Sequence, residues 1–304
     1  MKNKDHEVII IGGSFSGLSA ALTLGRMLRK VLIIDYAQPC NRNARSSQNF
    51  LTNDGESPLA IIETARTKLS KYSNVKLIYD LAVSIEKRED GFKVTTMAKE
   101  IFRASKLIYA TGIKDHLPSI DGFHSCWGIS AIHCPYCHGY EYRGKRTAIL
   151  ANGEAAINMT AIVKNLTNEV IILTDGPAEL DQKQLNLLKK NNVPIIETSV
   201  EKLVHNKGQI EAVNFTDGHQ IKIDVLYNSP ACAQHSVLTN FLAIELTNNG
   251  LIKVDHSQQT TVPGIYACGD NCTAMRTISQ AIFTGNLAAA KVNTELTDEN
   301  FYSI

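Results

Sequence analysis

The chain has 304 residues, of which 44% are hydrophobic and 20% are charged, and its formal net charge is +1. This length allows two domains with sizeable cores, and a near-zero charge without a dense run of Lys or Arg gives no indication of nucleic acid or an anionic membrane as a partner. The seven cysteines are an odd number, mostly far apart, and no secretory signal precedes them, so we expect a cytoplasmic protein with redox or metal chemistry rather than a disulfide framework.

The first predicted elements are a strand over residues 7–11, a glycine turn and a helix with apolar spacing over residues 18–24. This order presents a helix N-terminus to a pyrophosphate. The uncharged run over residues 8–25 is too rich in Gly and Ser for a membrane span, which favours the nucleotide-binding interpretation. The residues of the turn that we expect to contact the nucleotide are Gly12, Ser14, Phe15, Ser16 and Gly17, with Ser14 in place of the middle glycine of the G-x-G-x-x-G pattern.

A second strand, over residues 30–34, leads to Asp35, near the offset at which an acidic residue binds a ribose hydroxyl. An acid at this position suits an adenosine dinucleotide that lacks a 2′-phosphate. The alternative is a plain βαβ unit with a tight turn. The polar segment 38–54, which contains Arg42 and Asn49, is expected either to wrap the cofactor or to form a solvated surface loop.

A helix is predicted to begin at Pro58, and alternating segments over residues 75–102 predict a small antiparallel meander. The chain then returns through an apolar strand that ends in a turn of small residues, Ala110, Thr111 and Gly112. These elements would complete one nucleotide-binding unit.

The second half of the chain repeats this plan. The repeat predicts an α/β protein with two tandem Rossmann-like, three-layer ββα nucleotide-binding domains. The segment from about residue 246 has no core of its own, so we expect a discontinuous first domain of residues 1–114 and 246–304 and a second domain of residues 118–240. The predicted elements of the second domain are a strand over residues 146–150, a helix over 157–166, a strand over 170–173, a meander over 200–223 and a strand over 225–231.

Cys134 and Cys137 are separated by two residues and followed by His138. Thiols at this spacing can close a small disulfide and cycle between dithiol and disulfide as a two-electron carrier. Together with Cys268 and Cys272 the pair could instead form a structural zinc tetrathiolate, and Cys-x-x-Cys-His also matches the attachment pattern of c-type haem. A redox sensor without turnover, with Cys268 or Cys272 as an auxiliary thiol, is a further alternative.

These motifs, in this order and spacing, resemble the low-molecular-weight thioredoxin reductases over nearly the full chain. The Cys-Pro-Tyr-Cys-His sequence looks closer to the branch that includes fungal dithiol oxidases of the gliotoxin type. The resemblance implies noncovalently bound FAD, a homodimer built mainly through the FAD domain, and rotation of the central domain that offers the disulfide alternately to flavin and to substrate. It implies a thioredoxin-like protein, or a small-molecule dithiol or disulfide, as the partner.

By position, the resemblance makes Cys137 the flavin-side thiol and Cys134 the thiol that exchanges with substrate. Thioredoxin reductases place Asp after the second cysteine, whereas this chain has His138, whose imidazole can exchange a proton with a thiol near neutral pH. We therefore predict that His138 is a general acid/base, with His133 as the weaker candidate and a solvated histidine beside the pair as the alternative.

Near the C-terminus, Gly269 and Asp270 end a strand before a helix predicted over residues 279–296, an arrangement that can place a carboxylate and backbone amides against a ribityl diphosphate. The resemblance implies that these two residues hold the phosphate and ribityl region of FAD. It also implies that Gln280 and Ala281 lie near the pyrimidine edge of the flavin.

The second nucleotide site departs from the pattern for NADPH. Ala151 occupies the position where Gly would let the backbone approach a pyrophosphate, and residues 174–180 offer two acids and no base for a 2′-phosphate. Three alternatives for the electron donor or acceptor therefore stay open: NADH at this site, a reductant other than a nicotinamide, or dioxygen as the oxidant of a flavin that the substrate has reduced. The sequence thus supports an FAD disulfide reductase or, alternatively, a small-molecule dithiol oxidase that uses oxygen and no nicotinamide cofactor.

Overall fold

The computed structural model describes residues 5–302, apart from the side chain of residue 237. The chain divides into two compact units. Unit 1 is formed by the chain up to Arg42, by Leu59–Lys114 and by the chain from Cys232 onward, and unit 2 by Asn43–Pro58 and Asp115–Ala231. The domain boundaries given above remain a prediction. None of the described helices is long and apolar enough to cross a membrane.

The first part of the chain builds most of unit 1. Its elements are β1 (His6–Ile11), α1 (Phe15–Arg26), β2 (Val31–Asp35), α2 (Pro58–Leu69), β3 (Val75–Tyr79), β4 (Ala82–Arg88), β5 (Gly91–Thr96), β6 (Ile101–Tyr109) and β7 (Ile113–Asp115).

The rest of the chain builds unit 2 and then returns to unit 1. Its elements are α3 (Phe123–Cys126), β8 (Ala131–Ile132), α4 (Pro135–His138), β9 (Thr147–Leu150), α5 (Gly153–Val163), β10 (Val170–Leu173), α6 (Gln182–Lys190), β11 (Ile195–Ile196), β12 (Val200–Asn206), β13 (Gln209–Phe215), β14 (Gln220–Lys222), β15 (Val225–Tyr227), β16 (Cys232–Gln234), a 3-10 helix (Val237–Leu242), β17 (Ile265–Ala267) and α7 (Ile278–Phe301).

The sheet of unit 1 has the order β3-β2-β1-β6-β5-β4, and β17 also pairs with β6. Strands β3, β2, β1, β6 and β17 are parallel, whereas β4, β5 and β6 are antiparallel. β6 is long enough to pair with β5 through its first half and with β17 through its second half, where Leu107 lies beside Ile265. The strand ends that face the predicted nucleotide site, those of β1, β2 and β6, therefore lie side by side.

The predicted meander over residues 75–102 is wrong in its first strand. β3 joins the parallel sheet, with Val75 beside Val31, and only β4, β5 and β6 form the antiparallel part. The last meander strand and the returning apolar strand are one continuous strand, β6. Alternating hydrophobicity indicates that one face of a strand is buried, but it does not say which neighbour the strand pairs with.

Helices α1 and α7 pack together on one face of this sheet, and their contact requires glycine. A Cβ atom on Gly285 of α7 would lie 2.2 Å from the carbonyl oxygen of Ser16 in α1. The apolar cluster around this contact includes Leu24 and Val292, both fully buried. The helix at the nucleotide turn is thus held by the C-terminal helix.

Unit 2 has a parallel sheet of order β11-β10-β9-β15-β8, and the predicted second meander is confirmed as β12-β13-β14. Helix α5 begins at Gly153 rather than at residue 157, because Asn152 caps it directly after β9. β15 ends at Tyr227, earlier than the predicted strand over 225–231. Both sheets have the strand, turn and helix order expected of Rossmann-like units, which confirms the predicted α/β class.

Candidate active site and dinucleotide site

Two glycines in the glycine turn of unit 1 have no room for a side chain. Gly12 has a φ of +106°, and a Cβ there would lie 2.2 Å from the carbonyl oxygen of Ala110. A Cβ on Gly17 would lie 1.9 Å from the carbonyl oxygen of Gly12. The structure thus brings the predicted turn and the predicted small-residue turn after β6 together, as close backbone approach at a dinucleotide site requires.

The N-terminus of α1 is not capped by its own N-cap side chain. Ser14 is the N-cap residue, and its hydroxyl makes no capping hydrogen bond. The first amides of an α-helix have no intrahelical acceptors, and together with the helix dipole they favour an anion. Phe15 and Ser16 begin this helix, so the predicted turn residues fit the diphosphate of FAD.

Asp35, at the end of β2, is held from two sides. Its Oδ1 accepts a hydrogen bond from the backbone N–H of Gly13 at 3.0 Å, and its Oδ2 lies 2.6 Å from Nη2 of Arg66 on α2. Nη2 of Arg66 also donates to the carbonyl oxygen of Gly13 at 3.3 Å. Arg66 is not among the site residues predicted from the sequence, because an Arg on an amphipathic helix is ordinarily solvated. The feature that could have indicated its role is its position on α2, the helix that follows the strand ending in Asp35.

Gly269 and Asp270 lie beside the same turn. Gly269 has a φ of +83°, and a Cβ there would lie 2.6 Å from Oγ of Ser16. Oδ2 of Asp270 lies 3.6 Å from Sγ of Cys40 and 3.7 Å from Nε of Arg276. The side chain of Cys40 is exposed.

Asn271 links the two strand ends that meet at this site. Its side chain is fully buried, and Nδ2 donates to the carbonyl oxygen of Tyr109 at 2.9 Å and to Oγ1 of Thr111 at 3.2 Å. Its Oδ1 has no hydrogen-bond partner among the described residues. Such a buried acceptor is satisfied in proteins by water or a ligand, so it is consistent with a bound group at this position. Gly112 follows with a φ of +64°.

Four further residues that were predicted to contact the flavin lie in the following local settings. Gln280 and Ala281 lie in the first turn of α7, where Oγ1 of Thr277 accepts from the backbone N–H of Gln280 at 3.1 Å. Nη1 of Arg42 donates to the carbonyl oxygen of Pro39 at 3.2 Å. Asn49 has a φ of +56° and belongs to the segment that groups with unit 2. The roles of these four residues stay predictions.

In unit 2, Cys134 and Cys137 form a disulfide, with their Cα atoms 5.3 Å apart. Cys134 is the N-cap of the short helix α4, and its Sγ accepts from the backbone N–H of Cys137 at 3.2 Å. Pro135 suits the first helical position because its missing N–H is not needed there. A Cβ on Gly139 would lie 2.4 Å from the carbonyl oxygen of Pro135, so the turn after the pair also requires glycine.

His138 directly follows the disulfide at the end of α4. Burial lowers the pKa of His138 from its ordinary value of 6.5, and the carboxylate of Glu141 opposes that shift. The imidazole is therefore neutral near pH 7, in the form that accepts a proton from a thiol. This supports the predicted acid/base role.

The ring of His133 lies 6.0 Å from the ring of Trp127, which itself stacks on Phe123 at 5.8 Å. Trp127 packs against a buried cluster of unit 2, as expected for a structural residue. Two exposed aromatic side chains, Tyr136 and Tyr140, flank His138 in the sequence.

The turn between β9 and α5, which corresponds in unit 2 to the glycine turn of unit 1, is capped by its own chain. Oδ1 of Asn152 accepts from the backbone N–H of Gly153 at 2.9 Å and of Glu179 at 2.8 Å, while its Nδ2 donates to the carbonyl oxygen of Pro177 at 2.9 Å. Residues 177–179 are therefore tied to the N-terminus of α5. Asp175 accepts from the backbone N–H of Val200 at 2.8 Å, which fixes the start of the same loop.

The two cysteines near the C-terminus are poor candidates for metal ligation with the redox pair. Burial raises the pKa of Cys268 to about 12 and raises the pKa of Cys272 as well. Sγ of Cys272 lies 3.3 Å from the carbonyl oxygen of Gly269. Among residues 5–302, no group of three or more His, Cys, Asp or Glu side chains is arranged to hold a metal ion.

Comparison with known proteins matches residues 6–285 to the pyridine nucleotide-disulphide oxidoreductase family. The chain is 28% identical to thioredoxin reductase tcpT of Claviceps purpurea, over 95% of this chain and 94% of that one. It is 30% identical to thioredoxin reductase aclD of Aspergillus oryzae, over 95% and 96%. The crystal structure of an oxidoreductase from Agrobacterium tumefaciens is similar with a TM-score of 0.91 and 31% identity, covering 99% of this chain and 100% of that chain.

Proposed function

The chain belongs to the pyridine nucleotide-disulphide oxidoreductase family and is an FAD-dependent thiol/disulfide oxidoreductase of the thioredoxin reductase type, and we propose that it works in the oxidising direction. In this proposal a dithiol substrate is oxidised to a disulfide, and the electrons leave through FAD to dioxygen without a nicotinamide cofactor. The observation that carries it is Asn152, whose Oδ1 accepts hydrogen bonds from the first amide of α5 and from the loop amide of Glu179, at the helix N-terminus that a nicotinamide dinucleotide needs for its pyrophosphate.

The acids around that site add a second reason. The loop that follows β10 contains Asp175 and Glu179 and, over residues 174–180, neither Lys nor Arg. A 2′-phosphate is normally held by such cations, and carboxylates in their place repel it. Binding of NADPH is therefore disfavoured both by the capped N-terminus of α5 and by the negative charge of the loop.

The exchange step is assigned to Cys134 and Cys137. A substrate thiolate attacks Sγ of Cys134, and the Cys134–Cys137 bond breaks with Cys137 as the leaving thiolate. The second substrate thiol then attacks the mixed disulfide and releases Cys134. The substrate thereby loses two electrons and two protons, and the cysteine pair gains them. His138 accepts the proton of the attacking thiol and returns it to a departing thiolate.

The residues of unit 1 would hold FAD. The open N-terminus of α1 would bind the diphosphate, Asp35 the adenosine ribose, and Gly269 with Asp270 the ribityl region. When bound, FAD supplies the acceptor for the two electrons of the cysteine pair and passes them to dioxygen, with hydrogen peroxide as the product. From the family resemblance we also propose that the protein is a cytoplasmic homodimer. In this dimer, rotation of unit 2 would bring Cys137 to the flavin.

A second candidate is the opposite flow, from a reductant through FAD to a thioredoxin-like protein or a small disulfide. The names of the relatives favour it, since tcpT and aclD are both called thioredoxin reductases. Because fold alone does not fix the partner, the two directions need a direct test.

That test is an anaerobic titration of the purified holoprotein with NADPH, NADH and a small dithiol such as dithiothreitol in turn, followed by absorbance of the flavin. We expect only the dithiol to bleach the flavin, and we expect air to restore the colour with one hydrogen peroxide per dithiol oxidised. The variant Cys134→Ser is the control and should not turn over. Rapid bleaching by NADPH or NADH would instead establish the reductase direction.

A further inference from the structure

Arg66 makes the most closely built contact at the glycine turn of unit 1. Its Nη2 lies 2.6 Å from Oδ2 of Asp35, and the two side chains are 19% and 10% exposed. The same Nη2 lies 3.3 Å from the carbonyl oxygen of Gly13, whose N–H donates to the other carboxylate oxygen. Arg66, Asp35 and Gly13 thus form one cross-linked group that joins α2, β2 and the glycine turn.

The guanidinium group also faces an aromatic ring. The carbon Cζ of Arg66 lies 5.3 Å from the centroid of the Tyr79 ring, and Tyr79 on β3 is paired directly beside Asp35 on β2. Nε of Arg66 is buried without a hydrogen-bond partner among the described residues. Tyr79 is 63% exposed as a residue, and its ring lies beside this largely buried cation, so a planar base can lie against the tyrosine side of the pair.

We propose that Arg66 is a positioning residue for the adenosine half of FAD, which it serves by fixing the orientation of Asp35 toward the ribose. This rests on the flavin part of the proposed function. An ionised carboxylate has about four acceptor sites, and Gly13 and Arg66 use one on each oxygen, which leaves sites for the two ribose hydroxyls.

Charge gives Arg66 a second effect on the same ligand. Asp35 is largely buried beside the turn that would receive the diphosphate, so an unpaired carboxylate there would repel the phosphates. Arg66 neutralises it at contact distance. Without Arg66 the carboxylate would be held by the backbone N–H of Gly13 alone and would carry an uncompensated charge, and both changes weaken binding of the adenosine diphosphate portion.

The test compares FAD with FMN, which has the same flavin and ribityl phosphate but no adenosine. The full chain is stripped of flavin and titrated with each, and binding is followed by quenching of flavin fluorescence. For Arg66→Met we expect the FAD dissociation constant to rise about tenfold or more, as the loss of one charge-assisted hydrogen bond predicts. FMN affinity should fall clearly less, because FMN keeps one phosphate but lacks the adenosine ribose. Arg66→Lys keeps the positive charge but has a single donor group. Its FAD dissociation constant should therefore lie between those of the wild type and Arg66→Met.

Folding is controlled separately. The double variant Asp35→Asn, Arg66→Met leaves no buried charge, and we expect it to keep the unfolding temperature of the flavin-free protein and to bind FAD as weakly as Arg66→Met does. If Arg66→Met does not fold, the double variant and Arg66→Lys carry the test.

Equal loss of FAD and FMN affinity, or unchanged FAD affinity in all three variants, would overturn the proposal. Wild-type protein that binds neither flavin would instead refute the flavin part of the proposed function. A wild type that binds both flavins equally would overturn the role of Arg66 and leave dithiol oxidation intact.

Discussion

Asn152 accepts a hydrogen bond from the backbone N–H of Glu179 at 2.8 Å, and this contact ties the loop after β10 to the first turn of α5. In unit 1 the corresponding residue, Ser14, makes no capping hydrogen bond with its side chain. The two helix N-termini follow the same strand and turn arrangement, but one is open to an anion and the other is closed by its own chain. Under the proposed function, this asymmetry would account for the use of FAD without a nicotinamide dinucleotide.

Replacing Asn152 by Ala should remove the cap of α5 and release the loop. We expect a loss of about 1 kcal/mol in the free energy of unfolding, the usual cost of an N-cap, measured by urea denaturation. Asp181→Ala is the matched control, because Asp181 forms the capping box of α6 in the same unit. Neither variant should allow NADPH to bleach the flavin, since no cation is introduced; bleaching gained by Asn152→Ala alone would show that the cap was the only barrier.

Replacing either Cys134 or Cys137 by Ser should abolish dithiol turnover without loss of flavin. In the proposed mechanism the disulfide exchanges with the substrate, and serine cannot form it, whereas the predicted flavin residues other than Asn49 lie in unit 1. Turnover is measured as oxygen consumption with dithiothreitol, and flavin content by absorbance. Cys232→Ser serves as the control for loss of a thiol elsewhere and should retain full activity. Turnover in Cys137→Ser would disprove the pairwise mechanism.

The pH dependence of turnover should report on His138. Because burial lowers its pKa below 6.5, the neutral and proton-accepting form persists below that pH, and turnover should fall only as the pH drops through the lowered pKa. Glu141→Gln removes the carboxylate that raises this pKa, so the acid limb should move to lower pH. His138→Gln should lower kcat by a factor of about 100 or more and abolish the limb. The measurement is kcat/KM for a dithiol from about pH 5 to about pH 9.

An unchanged acid limb in His138→Gln would assign the proton transfer to another group. His133 is then the next candidate, and His133→Gln would be measured in the same way.

Gly285→Ala should destabilise unit 1, although Gly to Ala within a helix ordinarily stabilises by about 0.5–1 kcal/mol. The added methyl would lie 2.2 Å from the carbonyl oxygen of Ser16, so α1 and α7 must separate. We expect a net loss of about 2 kcal/mol by chemical denaturation, with weaker retention of FAD because α1 carries the diphosphate site. Asp298→Ala, at an exposed position near the end of the same helix, should change stability by less than about 0.5 kcal/mol.

The sequence by itself determined the features that depend on neighbouring residues. The glycine turn, the Cys134–Cys137 spacing and the acid at Asp35 are each set within one strand-turn-helix or one helical turn, and the structure has each of them in the predicted local setting. The repeat of the same plan in the second half indicated the fold class for the same reason, because the strand, turn and helix of each repeat come from one continuous stretch of sequence.

Only the tertiary structure decided which distant groups meet. Arg66 pairs with Asp35 across 31 positions, Asn152 with Glu179 across 27, and Asn271 with Thr111 across 160. The same is true of β3, which pairs with β2 rather than with the hairpin that follows it. Periodicity and motif spacing describe how a segment contacts its immediate neighbours, whereas these contacts follow from the order of strands in a sheet, which brings the ends of remote segments to one edge.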